Sequence, residues 1–146
     1  MKKIILSSIL LFSIVVLQAQ KANDVLGTWL TEEKRAKIEI YKEEGKYFGK
    51  IVWLMEPNEE NGEPKLDKEN PDPELKKRPI LGLNLISGFK WDDDDDEWDK
   101  GEIYDPETGN TYSSYMKLEG DNKLNIRGYL GVSWIGRTTT WTRVSK

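Results

Sequence analysis

The sequence predicts an all-β fold, an antiparallel up-and-down β-barrel of about eight strands. Three observations predict it. Apolar and polar residues alternate over short runs, as in Lys37 to Tyr41, where Ile38 and Ile40 share one face. Tight turns rich in Gly, Asp and Asn separate the runs. The mature part sustains no helical 3.6-residue period. A barrel is preferred to a sandwich because consecutive hairpins account for nearly all the connections, and closure leaves no exposed edge.

Residues 1–20, MKKIILSSILLFSIVVLQAQ, read as a secretory signal peptide. Lys2 and Lys3 form the positive region and Ile4 to Leu17 the apolar one, with a cleavage site at Leu17-Gln18-Ala19. Fourteen apolar-rich residues are short of the roughly 20 that span a bilayer. No Cys follows to carry a lipid. The chain is therefore expected to be exported, to the periplasm or the extracellular space, with no membrane span after cleavage. Residues 21–146 are expected to form one barrel domain.

The chain has no Cys, so no disulfide staples it and packing must supply stability. All six Trp and six Tyr lie after the leader, and such rings bury large areas. Without the leader, 20 Lys and Arg stand against 26 Asp and Glu, a net charge of −6. Seven of those acids lie between Asp92 and Asp99, and without them the balance is +1. The acidity is local, and it argues against nucleic acid as a partner at that face.

In chain order, Gly27-Thr28-Trp29 opens a first strand with the Trp as a core anchor. The Lys37–Tyr41 strand turns at Glu43-Glu44-Gly45-Lys46 into Tyr47–Met55, which is apolar on both faces beyond Gly49. Residues 56–79 break the rhythm, with five of the six prolines and thirteen charged residues in 24 positions. That is a long loop, read as a partly ordered flap with one helical turn at Pro73 to Lys77. Ile80 to Trp91 reads as a strand with bends at Gly82 and Gly88. An acidic loop is expected at 92–99, at the base of the next hairpin. That hairpin pairs Gly101–Asp105 with Thr111–Glu119 around Asp105-Pro106-Glu107-Thr108-Gly109, which has the residues of a type I turn closing into a bulge. A turn at Gly120–Lys123 follows, then a strand with Leu124, Ile126, Gly128 and Leu130 on one face. The last strand is expected from Ser133 to Val144, rich in Thr and Trp.

The order DVLGTW, RPILGLNLISGF, WDKGEIYDPETGNTY, LNIRGYLG and GRTTTWTR resembles the family called domain of unknown function 2147. The resemblance covers essentially the whole mature chain. It implies a small exported bacterial protein and supplies no mechanism. Gly27-Thr28-Trp29 also resembles the G-x-W of lipocalins and related calycins. In those barrels an Arg of the last strand packs beside the Trp and closes one end; that likeness implies the role for Arg143 or Arg137.

With neither His nor Cys, there is no Ser-His-Asp triad, no thiolate nucleophile and no zinc site of imidazole or sulfur. Gly131 to Gly136 misses the nucleophile-elbow spacing by one residue. Paired carboxylates are the surviving acid–base option, but Glu102 and Asp105 have odd separation and fall on opposite strand faces. Asp92, Asp94 and Asp96 offer oxygens to calcium, the one cofactor considered. The EF-hand spacing fails, however, with Glu97 at the sixth position and Ile103 at the twelfth. A solvated, self-repelling loop is the simpler reading.

Trp29, Trp53, Tyr112, Met116, Ile126 and Trp134 are expected to face the interior, where they either fill it or line a cavity for one small apolar molecule. Plain core is the simpler reading. From these, Trp29, Trp53, Tyr112 and Trp134, with Arg143, are the candidate ligand-binding residues. The leading expectation is a binding module that captures a small apolar or amphipathic molecule in the barrel mouth. One alternative is a surface or inhibitor module whose acidic loop meets a cation or a basic protein. The other is a carbohydrate-active enzyme with paired carboxylates.

Overall fold

The computed structural model describes residues 21–132 and 134–146. The leader read at 1–20 and Ser133 lie outside them. Eight strands follow one another: β1 (Gly27–Leu30), β2 (Ala36–Glu43), β3 (Lys46–Leu54), β4 (Asn84–Asp92), β5 (Glu97–Asp105), β6 (Asn110–Glu119), β7 (Lys123–Tyr129) and β8 (Gly136–Ser145). They form a closed antiparallel barrel in sequence order, with β1 paired to β8. This is the predicted architecture.

Alternation sets the walls. Ile38 and Ile40 on β2 are buried while Lys37 and Glu39 between them are not, and the same rule buries Leu124 and Ile126 on β7. Up-and-down topology then sorts the connections to two ends. The β2–β3, β4–β5 and β6–β7 turns lie at one end, with residues 21–26 packed beside them. The other four connections lie at the opposite end.

The end with residues 21–26 is closed. Val25 is fully buried, and its carbonyl accepts the Trp29 Nε1–H at 2.9 Å. The Ala22 carbonyl accepts the buried Trp98 Nε1–H at 3.0 Å. Beside Trp98 lie Trp91, at 4.7 Å between ring centroids, and Tyr47, edge-on at 6.2 Å. Phe89 fills the space over Gly101, where a Cβ would meet the ring at 2.1 Å. Gly101 thus gives up a side chain for a ring.

The structure moves several boundaries. Residues 80–83 are turn, and β4 starts at Asn84. The acidic run is its own hairpin, with Asp92 ending β4, a turn at 93–96 and Glu97 opening β5. It therefore lies at the far end of β5 from the Asp105–Gly109 turn. Leu130 has left β7 and is 68% exposed, because the strand ends at Tyr129. The last strand begins at Gly136, so Trp134 and Ile135 belong to the loop before it.

The long β3–β4 connection is ordered, with a helical turn at Leu75–Lys77 where one was expected. Two isolated bridges, Asn58 to Pro64 and Leu66 to Pro79, fold it on itself. Its clasp is Asp67, which is fully buried. That carboxylate accepts from Tyr104 Oη at 2.5 Å, Asn70 Nδ2 at 2.9 Å, and Arg78 Nε and Nη2, each at 2.9 Å. A buried charge needs this density of partners. Burial, then the bond and charge of Asp67, push the Tyr104 phenol up to about 12. Gly109 completes the seam, since a Cβ there would meet the Glu69 carbonyl oxygen at 1.9 Å.

Candidate functional site

The half of the barrel away from Arg143 is hollow. A cavity of about 960 Å³ opens at the end that carries the long connection, at the large end of the range for small-molecule sites. Its inner wall is aliphatic: Ile38 from β2, Ile51 from β3, Leu85 from β4, Ile103 from β5 and Ile126 from β7. Trp141 from β8 is the indole of the lining, and Tyr112 and Tyr129 bring phenols. Ile80 and Lys65 bring the long connection to the rim.

The rim is charged and paired. Arg35 Nη1 meets Glu107 Oε1 at 2.9 Å, Lys65 Nζ meets Glu56 Oε2 at 3.2 Å, and Arg137 Nη2 meets Glu33 Oε1 at 3.7 Å. All six groups line the opening. The arrangement is an apolar chamber under an ionic collar. It suits a molecule with an apolar body and a polar end, and Glu33, Glu56 and Glu107 at the rim each pair with a cation.

Of the candidate ligand-binding residues, Tyr112 lines the cavity. Trp29 is fully buried in the closed end beneath Arg143, whose guanidinium lies 4.1 Å from its ring centroid. Arg143 also donates to the carbonyls of Leu26 at 2.9 Å, Asp24 at 2.5 Å and Asp121 at 2.6 Å. Burial pulls this guanidinium below its ordinary range, with Asp24 and Asp121 opposing. Trp29 and Arg143 are thus the lid of the closed end, away from the cavity. Between Arg143 and Arg137, it is Arg143 that sits on the Trp.

Trp53 is turned outward, 38% exposed, with Lys37 Nζ at 5.1 Å from its ring centroid. The cause is a register shift between Lys37 and Ile38, which pairs Lys37 with Trp53 but Ile38 with Ile51. Trp134 is 77% exposed on the β7–β8 loop. Met116 is fully buried and does not line the cavity, whereas Ile126 does.

The acids have local duties. Asp92 Oδ1 accepts from the Asp94 N–H at 2.9 Å, Asp93 from Trp91 Nε1, and Asp96 pairs with Lys21 at 3.3 Å. Burial, opposed by Lys117 and helped by Asp95, Asp99 and Asp92, holds the Glu97 carboxyl above its usual range. Among the described residues no three acidic side chains converge to hold a metal ion. Glu102 is exposed on the outer wall, and Asp105 is spent on its turn, accepting from the Glu107 N–H and Thr108 Oγ1, each at 2.9 Å.

Sequence reasoning overlooked Trp141, Leu85, Arg35 and the Asp67 clasp. The first had a signal: in Thr139-Thr140-Trp141-Thr142-Arg143, period two places Trp141 on the same face as Arg143. Leu85 depends on where β4 starts, and Arg35 and the Asp67 clasp depend on which segments meet at the mouth.

This architecture defines a lipocalin-like barrel, closed at one end by a Trp–Arg stack and open to a cavity at the other. It is similar to a solved structure described as "Protein HP1028 from the human pathogen Helicobacter pylori belongs to the lipocalin family", with a TM-score of 0.72 and 23% identity over 84% of each chain. The family model described as "Uncharacterized protein conserved in bacteria (DUF2147)" matches residues 27–143, and the chain belongs to that family. No curated protein matches the chain. Among the described residues no helix is long and apolar enough to cross a membrane.

Proposed function

We propose that this protein is an exported binding module that holds a small apolar or amphipathic molecule in the open half of its barrel. The observation that carries the reading is the cavity of about 960 Å³ with an aliphatic inner wall. Burying an apolar ligand there gains about 25 cal/mol per Å² removed from water, on a chamber that needs no rearrangement to exist. The long connection serves as a fixed wall of the mouth, because the Asp67 clasp holds it to Tyr104 of β5. Export rests on the leader pattern of residues 1–20.

Trp141 in the lining makes the test direct. Titrating the protein with a panel of apolar and amphipathic molecules is expected to change its tryptophan emission, and Trp141→Phe is expected to remove most of that change. A panel that leaves emission and thermal stability untouched would count against the reading, since a ligand that binds only the folded state raises its stability.

A further inference from the structure

Arg35 and Glu107 do not meet as neighbours on one surface. Arg35 is on the β1–β2 connection and Glu107 on the β5–β6 turn. In a closed ring of eight strands taken in order, those connections are four strands apart in either direction. They stand on opposite walls, and the 2.9 Å pair therefore runs across the opening of the cavity that both residues line. The other two rim pairs differ. Arg137 of β8 reaches Glu33 on the adjacent β1–β2 connection, and Lys65 and Glu56 belong to one loop. Of these three pairs among the described residues, Arg35–Glu107 is the one that crosses the mouth.

Such a bar is easily opened. Its side chains are 60% and 71% exposed, and exposed pairs contribute little to stability. Glu107 returns to water at small cost when released. Arg35 has the better chemistry for staying with a ligand: its guanidinium is weakly hydrated and multiply donating, and its stem can lie over apolar surface. The partner already on Arg35 is an alkyl carboxylate, the Glu107 side chain itself. We propose that Arg35 is the headgroup residue of this barrel, and that a single-chain amphiphile with a carboxylate head enters by taking the place of Glu107. The proposal rests on the cavity reading above and names the class of ligand.

The test compares dodecanoate, dodecanol and dodecylamine on the full-length protein, by calorimetry and tryptophan emission at neutral pH. Dodecanoate is expected to bind roughly fivefold more tightly than dodecanol, the scale of one exposed ion pair. Arg35→Gln is expected to erase that preference, and Glu107→Gln to strengthen dodecanoate binding by removing its rival while leaving dodecanol unchanged. Arg137→Gln, which alters a rim charge outside the bar, is expected to keep the preference. Equal binding of acid and alcohol, a preference that survives Arg35→Gln, or a preference for the amine that Glu107→Gln removes would each overturn the headgroup assignment and leave the cavity reading in place. If none of the three amphiphiles binds, both fall.

Discussion

The end of the barrel that carries Arg143 and the end that carries Arg35 are built from the same eight strands, yet one is packed with rings and the other encloses a chamber. Side-chain size makes the difference. Around the closed end the inward positions hold Trp29, Tyr47, Phe89 and Trp98, and Gly101 makes room for the Phe89 ring. Around the open end Trp141 and Tyr112 are joined by Ile38, Ile51, Leu85, Ile103 and Ile126, and these aliphatic side chains reach less far toward the barrel axis. Large rings meet across an eight-stranded barrel, whereas aliphatic side chains leave the axis open. Packing and open space are therefore separated along the barrel, and substitutions at the two ends should fail differently.

The largest effect is expected from Trp98→Ala. It removes a buried ring and its bond to the Ala22 carbonyl, at a cost of about 3–5 kcal/mol, readable as a lower midpoint in urea unfolding. Gly101→Ala should follow at roughly 1–3 kcal/mol, because the new methyl forces the Phe89 ring aside. A Gly101→Ala variant as stable as the parent would show that the closed end is looser than described.

Tyr104→Phe is comparable, at about 1.5–3 kcal/mol because its hydroxyl donates to a buried carboxylate, and its effect should be local: faster amide exchange in residues 57–79. The same phenol gives a pH signature. Its pKa is raised to about 12 from an ordinary value near 10. Its contribution to stability is thus fully present below about pH 10 and lost as pH rises through about 12. Ultraviolet titration should show a late-titrating tyrosine that disappears in Tyr104→Phe. The smallest stability change is expected from Ile126→Phe, under about 1 kcal/mol, because its ring enters open space. Ligand binding should nonetheless be lost. That variant separates chamber from scaffold most sharply.

The sequence made the frame legible and the chamber much less so. Alternation in Lys37–Tyr41 and Leu124–Ile126 marks inward faces without reference to the rest of the chain, and Asp105-Pro106 through Gly109 writes its turn locally. The Gly-x-Trp likeness left Arg143 and Arg137 both open, and Arg143 is the one over the ring. Trp53 defeated the same logic because one register shift beside Ile38 reverses its face, and no local pattern announces such a shift. Trp134 failed for a different reason: the strand starts two residues later, and the ring falls in a loop. Arg35 and Glu107 were out of reach, since their meeting depends on closure of the whole ring. The acidic run drew notice through its charge, but its members serve a turn and its neighbours.

The ring is closed by β1 and β8, with Trp29 opposite Arg143. Because Arg143 also ties down the carbonyls of Asp24, Leu26 and Asp121, the first and last segments complete each other. Native closure must therefore wait for β8 to emerge, however far the intervening hairpins have progressed. Pairings between such distant positions form late and slowly compared with local ones. A chain halted before β8 should stay open-edged and susceptible to protease, and refolding should show one slow step that Arg143→Ala makes slower still. The C-terminal strand thus acts as a timer as well as a wall.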